Sequence, residues 1–73
     1  GGLFEQLRTL RRRLAEEQGV PPFVIFSDRT LHDMSQQQPQ TEAEFLDIHG
    51  VGASKWAKYG AAFLKVIQEA VDA

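Results

Sequence analysis

Gly19-Val20-Pro21-Pro22-Phe23-Val24-Ile25-Phe26-Ser27-Asp28 is the stretch that decides how this chain of 73 residues is divided. Gly19 reads as a helix C-cap, because glycine enters the left-handed region without a Cβ penalty, and the proline pair stops the helix from continuing. Proline suits a first helical turn, so a short helix is expected over Pro22 to Phe26. Ser27-Asp28 then offers an N-cap pair to the next helix. Phe23-Val24-Ile25-Phe26 covers a full helical turn and cannot all face one core. One of the four must be at least partly exposed, and Phe23, beside the prolines, is the candidate.

Working outward, Leu3, Leu7, Leu10 and Leu14 recur with helical period and predict a helix from Leu3 to Gln18. On the other side a helix is expected over about Arg29 to Gln37, with Leu31 and Met34 facing inward. Gln36 to Gln40 reads as a polar linker. Thr41-Glu42-Ala43-Glu44 has the form of a capping box and begins a short helix through about Ile48. His49-Gly50-Val51-Gly52 is a tight turn, and the last helix runs from about Ala53 to Val71. On a helical wheel Gly60, Phe63, Leu64, Ile67, Ala70 and Val71 share a face with Trp56. Gly60 inside that face costs about 1 kcal/mol relative to alanine, so it reads as permitting a close helix crossing. No alternating strand pattern and no internal repeat is present.

The reading is therefore an all-α chain of five helices forming one small domain over residues 3–71. Gly1-Gly2, with no methionine, reads as a cloning remnant or linker, which would make the chain a domain excised from a larger protein.

Composition narrows the function. The 8 basic and 10 acidic residues give a net charge of −2, against a strongly basic histone-like binder. There is no cysteine to form a disulfide or hold zinc. No apolar run exceeds four residues, so neither a membrane span nor a signal peptide is expected. His32 and His49 sit on different elements without metal-ligand spacing. Ser27, Ser35 and Ser54 lack a nucleophile setting. The carboxylate pairs Glu16-Glu17 and Glu42/Glu44 stand at helix ends, where dipole effects account for them. No catalytic residue, metal or cofactor is expected.

Three features suggest binding, and each also has an ordinary structural reading. Ile48-His49-Gly50-Val51-Gly52 looks like a helix-hairpin-helix turn. Gly50 and Gly52 would let the backbone approach a phosphate, with Ser54 and Lys55 beside it; alternatively the turn merely packs Ile48 and Val51 inward. Arg8, Arg11, Arg12 and Arg13 hold half the positive charge of the chain. Helical spacing pairs Arg8 with Glu5, Arg12 with Glu16 and Arg13 with Glu17, which leaves Arg11 the most available; alternatively the cluster is a solvated, salt-laced face. Phe23, and Tyr59 one turn beyond Lys55, could stack bases next to a cation; alternatively both close the rim of the core. Between these features lies an acidic middle of Asp28, Asp33, Glu42, Glu44 and Asp47, which repels phosphates and suits a basic partner surface.

Leu7-Arg8-x-Leu10-Arg11, Pro21-Pro22-Phe23-Val24-Ile25-Phe26, Asp28-x-Thr30-Leu31, Met34, Gly50-Val51-Gly52, Lys55, Tyr59-Gly60 and Phe63-Leu64-x-x-Ile67 occur together in one family. From about Leu3 to Val71 the chain resembles the HRDC (helicase and RNase D C-terminal) domain, in particular the C-terminal module of bacterial RecQ helicases. The resemblance implies a compact five-helix bundle, appended without catalytic machinery of its own to an ATP-dependent DNA helicase of repair or recombination. Such a module commonly binds single-stranded or partly duplex DNA and tunes substrate choice; an RNase D-like relative would instead position RNA. Its implied partners are weakly bound DNA, the catalytic core of the parent helicase and other repair proteins, with no membrane, in a cytoplasmic, nucleoid-associated setting. By position Phe23 stands where DNA-binding members carry tyrosine, which keeps stacking but loses a hydroxyl. Lys55 matches a basic residue after the glycine turn. The expected DNA-binding set is Phe23, Arg8, Arg11, Lys55, Lys58 and Tyr59, with Ser54 and the backbone of Gly50 and Gly52. The acidic middle is the alternative, a surface for interdomain or protein contacts.

Overall fold

A computed structural model describes residues 2–72; Gly1, half of the proposed remnant, lies outside the described residues. The chain folds into α1 (Leu3–Gln18), α2 (Pro22–Ile25), α3 (Asp28–Gln37), α4 (Glu42–Leu46) and α5 (Ala53–Asp72). α1 packs against α2, α3 and α5, while α4 leans on α5. α1 and α5 run antiparallel. Gln18, at the end of α1, accepts a hydrogen bond from Tyr59 near the start of α5, and Gln6, Thr9 and Arg13 flank a groove completed by Lys65, Val66 and Glu69.

The boundaries follow local chemistry. Gly19 ends α1 at φ +67°, and the N–H groups of Gly19 and Val20 return to the carbonyls of Glu16 and Ala15. This double bond pattern satisfies carbonyls that the helix end leaves open. Ser27 caps α3 by accepting from the Thr30 N–H, and Thr41 caps α4 by accepting from the Glu44 N–H. The Glu44 side chain reaches back one residue further than a capping box requires, to the Gln40 N–H at 2.7 Å. α4 stops at Leu46, short of the expected Ile48, because Asp47 and Ile48 bond three residues back rather than four. The stretch from Gln36 to Gln40 is more than a polar linker, since Pro39 within it is fully buried.

α2 is one residue shorter than expected. Phe26 leaves it in extended conformation, φ −151°, which turns its ring inward instead of along the helix. There it meets Phe63 edge-on, ring centroids 5.0 Å apart, and Tyr59 at 6.1 Å. Leu7, Leu10, Ile25, Leu31, Met34, Phe45, Ile48 and Ile67 complete the core around these rings.

The buried side of α5 is centred on Tyr59, Gly60, Phe63 and Ile67, a small rotation from the expected face. Trp56 and Leu64 are only half-buried and Val71 is exposed. Gly60 has a different purpose from the helix crossing expected of it. A Cβ there would sit 2.2 Å from Cε3 of Trp56, one turn earlier on the same helix. The missing side chain lets the indole lie down against Phe45, ring centroids 5.1 Å apart. Gly60→Ala is expected to displace that indole. The overlap costs about 1–3 kcal/mol and the better helix propensity returns about 1. The readout is the fluorescence of Trp56, the only tryptophan, which should shift to the red as stability falls.

Candidate nucleic-acid interface

Phe23 is 71% exposed and Val24 39%, while their neighbours Ile25 and Phe26 are buried. One turn of α2 thus shows an aromatic and an aliphatic side chain to solvent. A large apolar surface left outside such a small core is the informative kind of exposure.

α5 meets α2 through Lys55. Its Nζ donates to the Val24 carbonyl and, at 3.0 Å, to the Ile25 carbonyl, and lies 5.9 Å from the centroid of the Phe26 ring. Ser54 and Lys58, one turn apart on α5, are exposed on either side of this contact in the sequence. Lys58 forms no ion pair among the described residues.

The turn before α5 is built from inside. Gly50 has φ +88°, and the Val51 N–H bonds back to the Ile48 carbonyl at 3.1 Å, the arrangement a type II turn uses. The space beside Gly50 is filled: a Cβ there would fall 2.3 Å from Oγ1 of Thr30. That hydroxyl donates to the His49 carbonyl at 2.8 Å and lies 3.0 Å from the Ser27 hydroxyl. Gly50 therefore faces α3. Gly52 has open space beside it, and its carbonyl accepts the Trp56 N–H that starts α5.

Two of the three arginine pairings read from helical spacing are present, and Arg11 and Arg12 are the exceptions. Arg11, expected to be the most available, is 8% exposed. It donates through Nη1 to the Phe26 carbonyl at 2.9 Å and pairs through Nη2 with Asp28 at 2.8 Å. Its partners lie on other elements, so helix spacing alone could not find them. The signal was its place on the wheel beside Leu7, Leu14 and Ala15. Arg8 pairs with Glu5 at 3.3 Å and rests over the Phe4 ring, which itself meets His32 of α3. Arg13 pairs with Glu17 at 3.8 Å. Arg12, assigned to Glu16, forms no ion pair among the described residues and is exposed.

Of its two readings, Tyr59 takes the one in which it closes the core. It is 7% exposed, and its hydroxyl donates to Gln18 Oε1 at 2.8 Å. The structure thus places Phe23, Val24, Lys55, Ser54 and Lys58 on adjoining parts of α2 and α5. It takes Arg11 and Tyr59 into the interior and leaves Arg8 on the α1–α3 side. Val24 was missed in the sequence, although the run of four apolar residues contained it.

The acidic middle is partly spent within the fold. Asp28 holds Arg11, Asp33 lies 4.0 Å from Arg29, and Glu44 holds the Gln40 N–H. Among the described residues Glu42 and Asp47 have no such partners; both are exposed, next to Leu46, which is 39% exposed. No group of side chains suited to a metal ion occurs among the described residues. None of the helices described is long and apolar enough to cross a membrane.

These features define a small helical module with a glycine turn at the foot of its last helix and an exposed aromatic beside it. A family model for the HRDC domain matches residues 1–67, and the chain belongs to that family. It is 59% identical over 66 residues to the ATP-dependent DNA helicase RecQ of Bacillus subtilis, covering 90% of this chain and 11% of that protein. It is 36% identical over 66 residues to the ATP-dependent DNA helicase UvrD2 of Mycobacterium tuberculosis, covering 90% of this chain and 9% of that one. Among solved structures it superposes on HRDC domain 3 of D. radiodurans RecQ with a TM-score of 0.92 and 38% identity, covering 97% of this chain and 93% of the other. The chain spans about a tenth of the length of these curated relatives.

Proposed function

We propose that this chain is the accessory, non-catalytic module of a RecQ-type, ATP-dependent DNA helicase of repair or recombination, working in the cytoplasm alongside the nucleoid. In this reading it binds single-stranded or partly duplex DNA weakly and regulates how the helicase core engages its substrate. The observation that carries the reading is Phe23, held 71% exposed on α2 beside the start of α5. An exposed ring next to a cationic helix end is suited to stacking an unpaired base. Lys58, exposed, and the open backbone at Gly52 and Ser54 stand ready for phosphate. With so few free cations and a net charge of −2, affinity is of micromolar scale and the salt slope shallow. The relatives quoted are DNA helicases, which favours this setting over an RNA-positioning one.

The test is fluorescence anisotropy with labelled single-stranded DNA at low and physiological salt. Saturable binding that weakens with salt is expected. Phe23→Ala should weaken it by about 5- to 100-fold, the effect of losing one stacked base. Lys58→Ala should weaken it less and flatten the salt dependence by about one phosphate contact. Absence of binding at low salt overturns the reading.

A second role has one observation in its favour: Glu42 and Asp47 flank the exposed Leu46. An apolar centre with an acidic rim fits a basic protein surface such as that of a helicase core. Asp47→Lys would then alter unwinding by the parent helicase while leaving DNA binding by this chain equal or stronger.

A further inference from the structure

We propose that Lys55 is a positioning residue for the Phe23–Val24 surface and not a phosphate ligand. The inference rests on the DNA-binding reading above and concerns how its central residue is held.

Three consecutive carbonyls at the end of α2 are taken by two cations. Those of Val24 and Ile25 accept from Lys55 Nζ, and that of Phe26 accepts from Arg11 Nη1 at 2.9 Å. A helix of four residues cannot satisfy these groups itself, nor is it stable alone. α2 is therefore fixed from outside: by the fixed backbone angles of Pro21 and Pro22 on one side, and by the two cations on the other. What they fix is its rotation. Ile25 and Phe26 face the core and Phe23 and Val24 face solvent; a small roll of this single turn would draw Phe23 toward the rim.

Lys55 is half-buried, and two of the three donors of its ammonium are committed to carbonyls. A phosphate would have to compete with them, and drawing Nζ away would release the segment that carries Phe23. Lys55 thus acts on DNA through Phe23.

The test uses Lys55→Met, which keeps the stem and removes the donors, at a temperature where circular dichroism shows every variant folded. Affinity for single-stranded DNA should fall about tenfold, within the contribution of one stacked base. The slope of log K against log salt should not change, because no phosphate contact is lost. In a Phe23→Ala background the same substitution should change affinity by less than about twofold, because the group it positions is gone. In nuclear magnetic resonance spectra the backbone amides of residues 23–26 should shift on Lys55→Met while those of α4 hold, a signature that uniform loss of stability would not produce.

The proposal is overturned if the slope falls by about 0.7, one contact on a single strand, and the loss persists in the Phe23→Ala background. It is equally overturned if the amides of residues 23–26 do not move. Failure of the unaltered chain to bind DNA would sink the proposed function instead; the spectra would still decide whether Lys55 holds α2.

Discussion

Phe63→Ala is expected to leave this bundle largely unfolded at room temperature. Phe63 is fully buried, and its ring stands edge-on to Phe26 at 5.0 Å and 88°. Through Phe26 it ties α5 to the segment following α2. Truncating a buried phenylalanine costs about 3–5 kcal/mol, transfer and cavity together. A core of this size, with no cysteine to form a disulfide, holds about 3–5 kcal/mol in all. The loss is therefore comparable to the whole stability. Circular dichroism with a urea titration checks it. A variant that kept a cooperative transition with most of the original midpoint would show that the core is not organised around these two rings. Phe63→Leu, which refills most of the volume, should recover much of the transition.

Gly50→Ala is the second large effect, and a double-mutant cycle makes it specific. The residue would have to hold φ +88°, at about 1–2 kcal/mol for a left-handed conformation. Its Cβ would also strike Oγ1 of Thr30 at 2.3 Å and break the hydrogen bond to the His49 carbonyl, worth about 1 kcal/mol more. The single substitution should therefore cost about 2–3 kcal/mol. With Thr30→Ala in the background the nearest remaining side-chain atom is Cβ at 3.5 Å, an ordinary contact. Only the conformational part then remains, so the two substitutions should be non-additive by about 1 kcal/mol. Strict additivity in chemical denaturation would mean that the turn moves aside instead of meeting Thr30.

The fold was readable wherever the signal was local. α1 has the bounds its leucine spacing and Gly19 predict, and the caps Ser27 and Thr41 stand where their residue types point. Phe23 is exposed because four apolar residues in one turn cannot share a core. What escaped was decided by contacts distant in the chain. Arg11 has no acid within a helical turn, and its partners lie 15 residues away at Phe26 and beyond that at Asp28. Lys55 looks like phosphate equipment after a glycine turn, yet it serves carbonyls about 30 residues earlier. In both cases a cation with no acid one helical turn away is read locally as free, and only the packing reveals that a neighbouring segment lacks partners for its own carbonyls. Gly60 makes the converse point. Its neighbour Trp56 lies on the same helix, but the indole's rotamer, which decides what the glycine does, is set by Phe45 on α4.

The antiparallel pairing of α1 and α5 bears on how such a module travels between proteins. The start of α1 and the end of α5 come to the same side of the bundle, so entry and exit are neighbours. A unit of this kind can be spliced onto another chain, or copied in series, while asking little of its host's geometry. Its relatives show that portability: the same module occurs in RecQ and in UvrD2 proteins, and its structural neighbour is numbered third within one RecQ. The opposite end of the bundle carries α2 and the glycine turn.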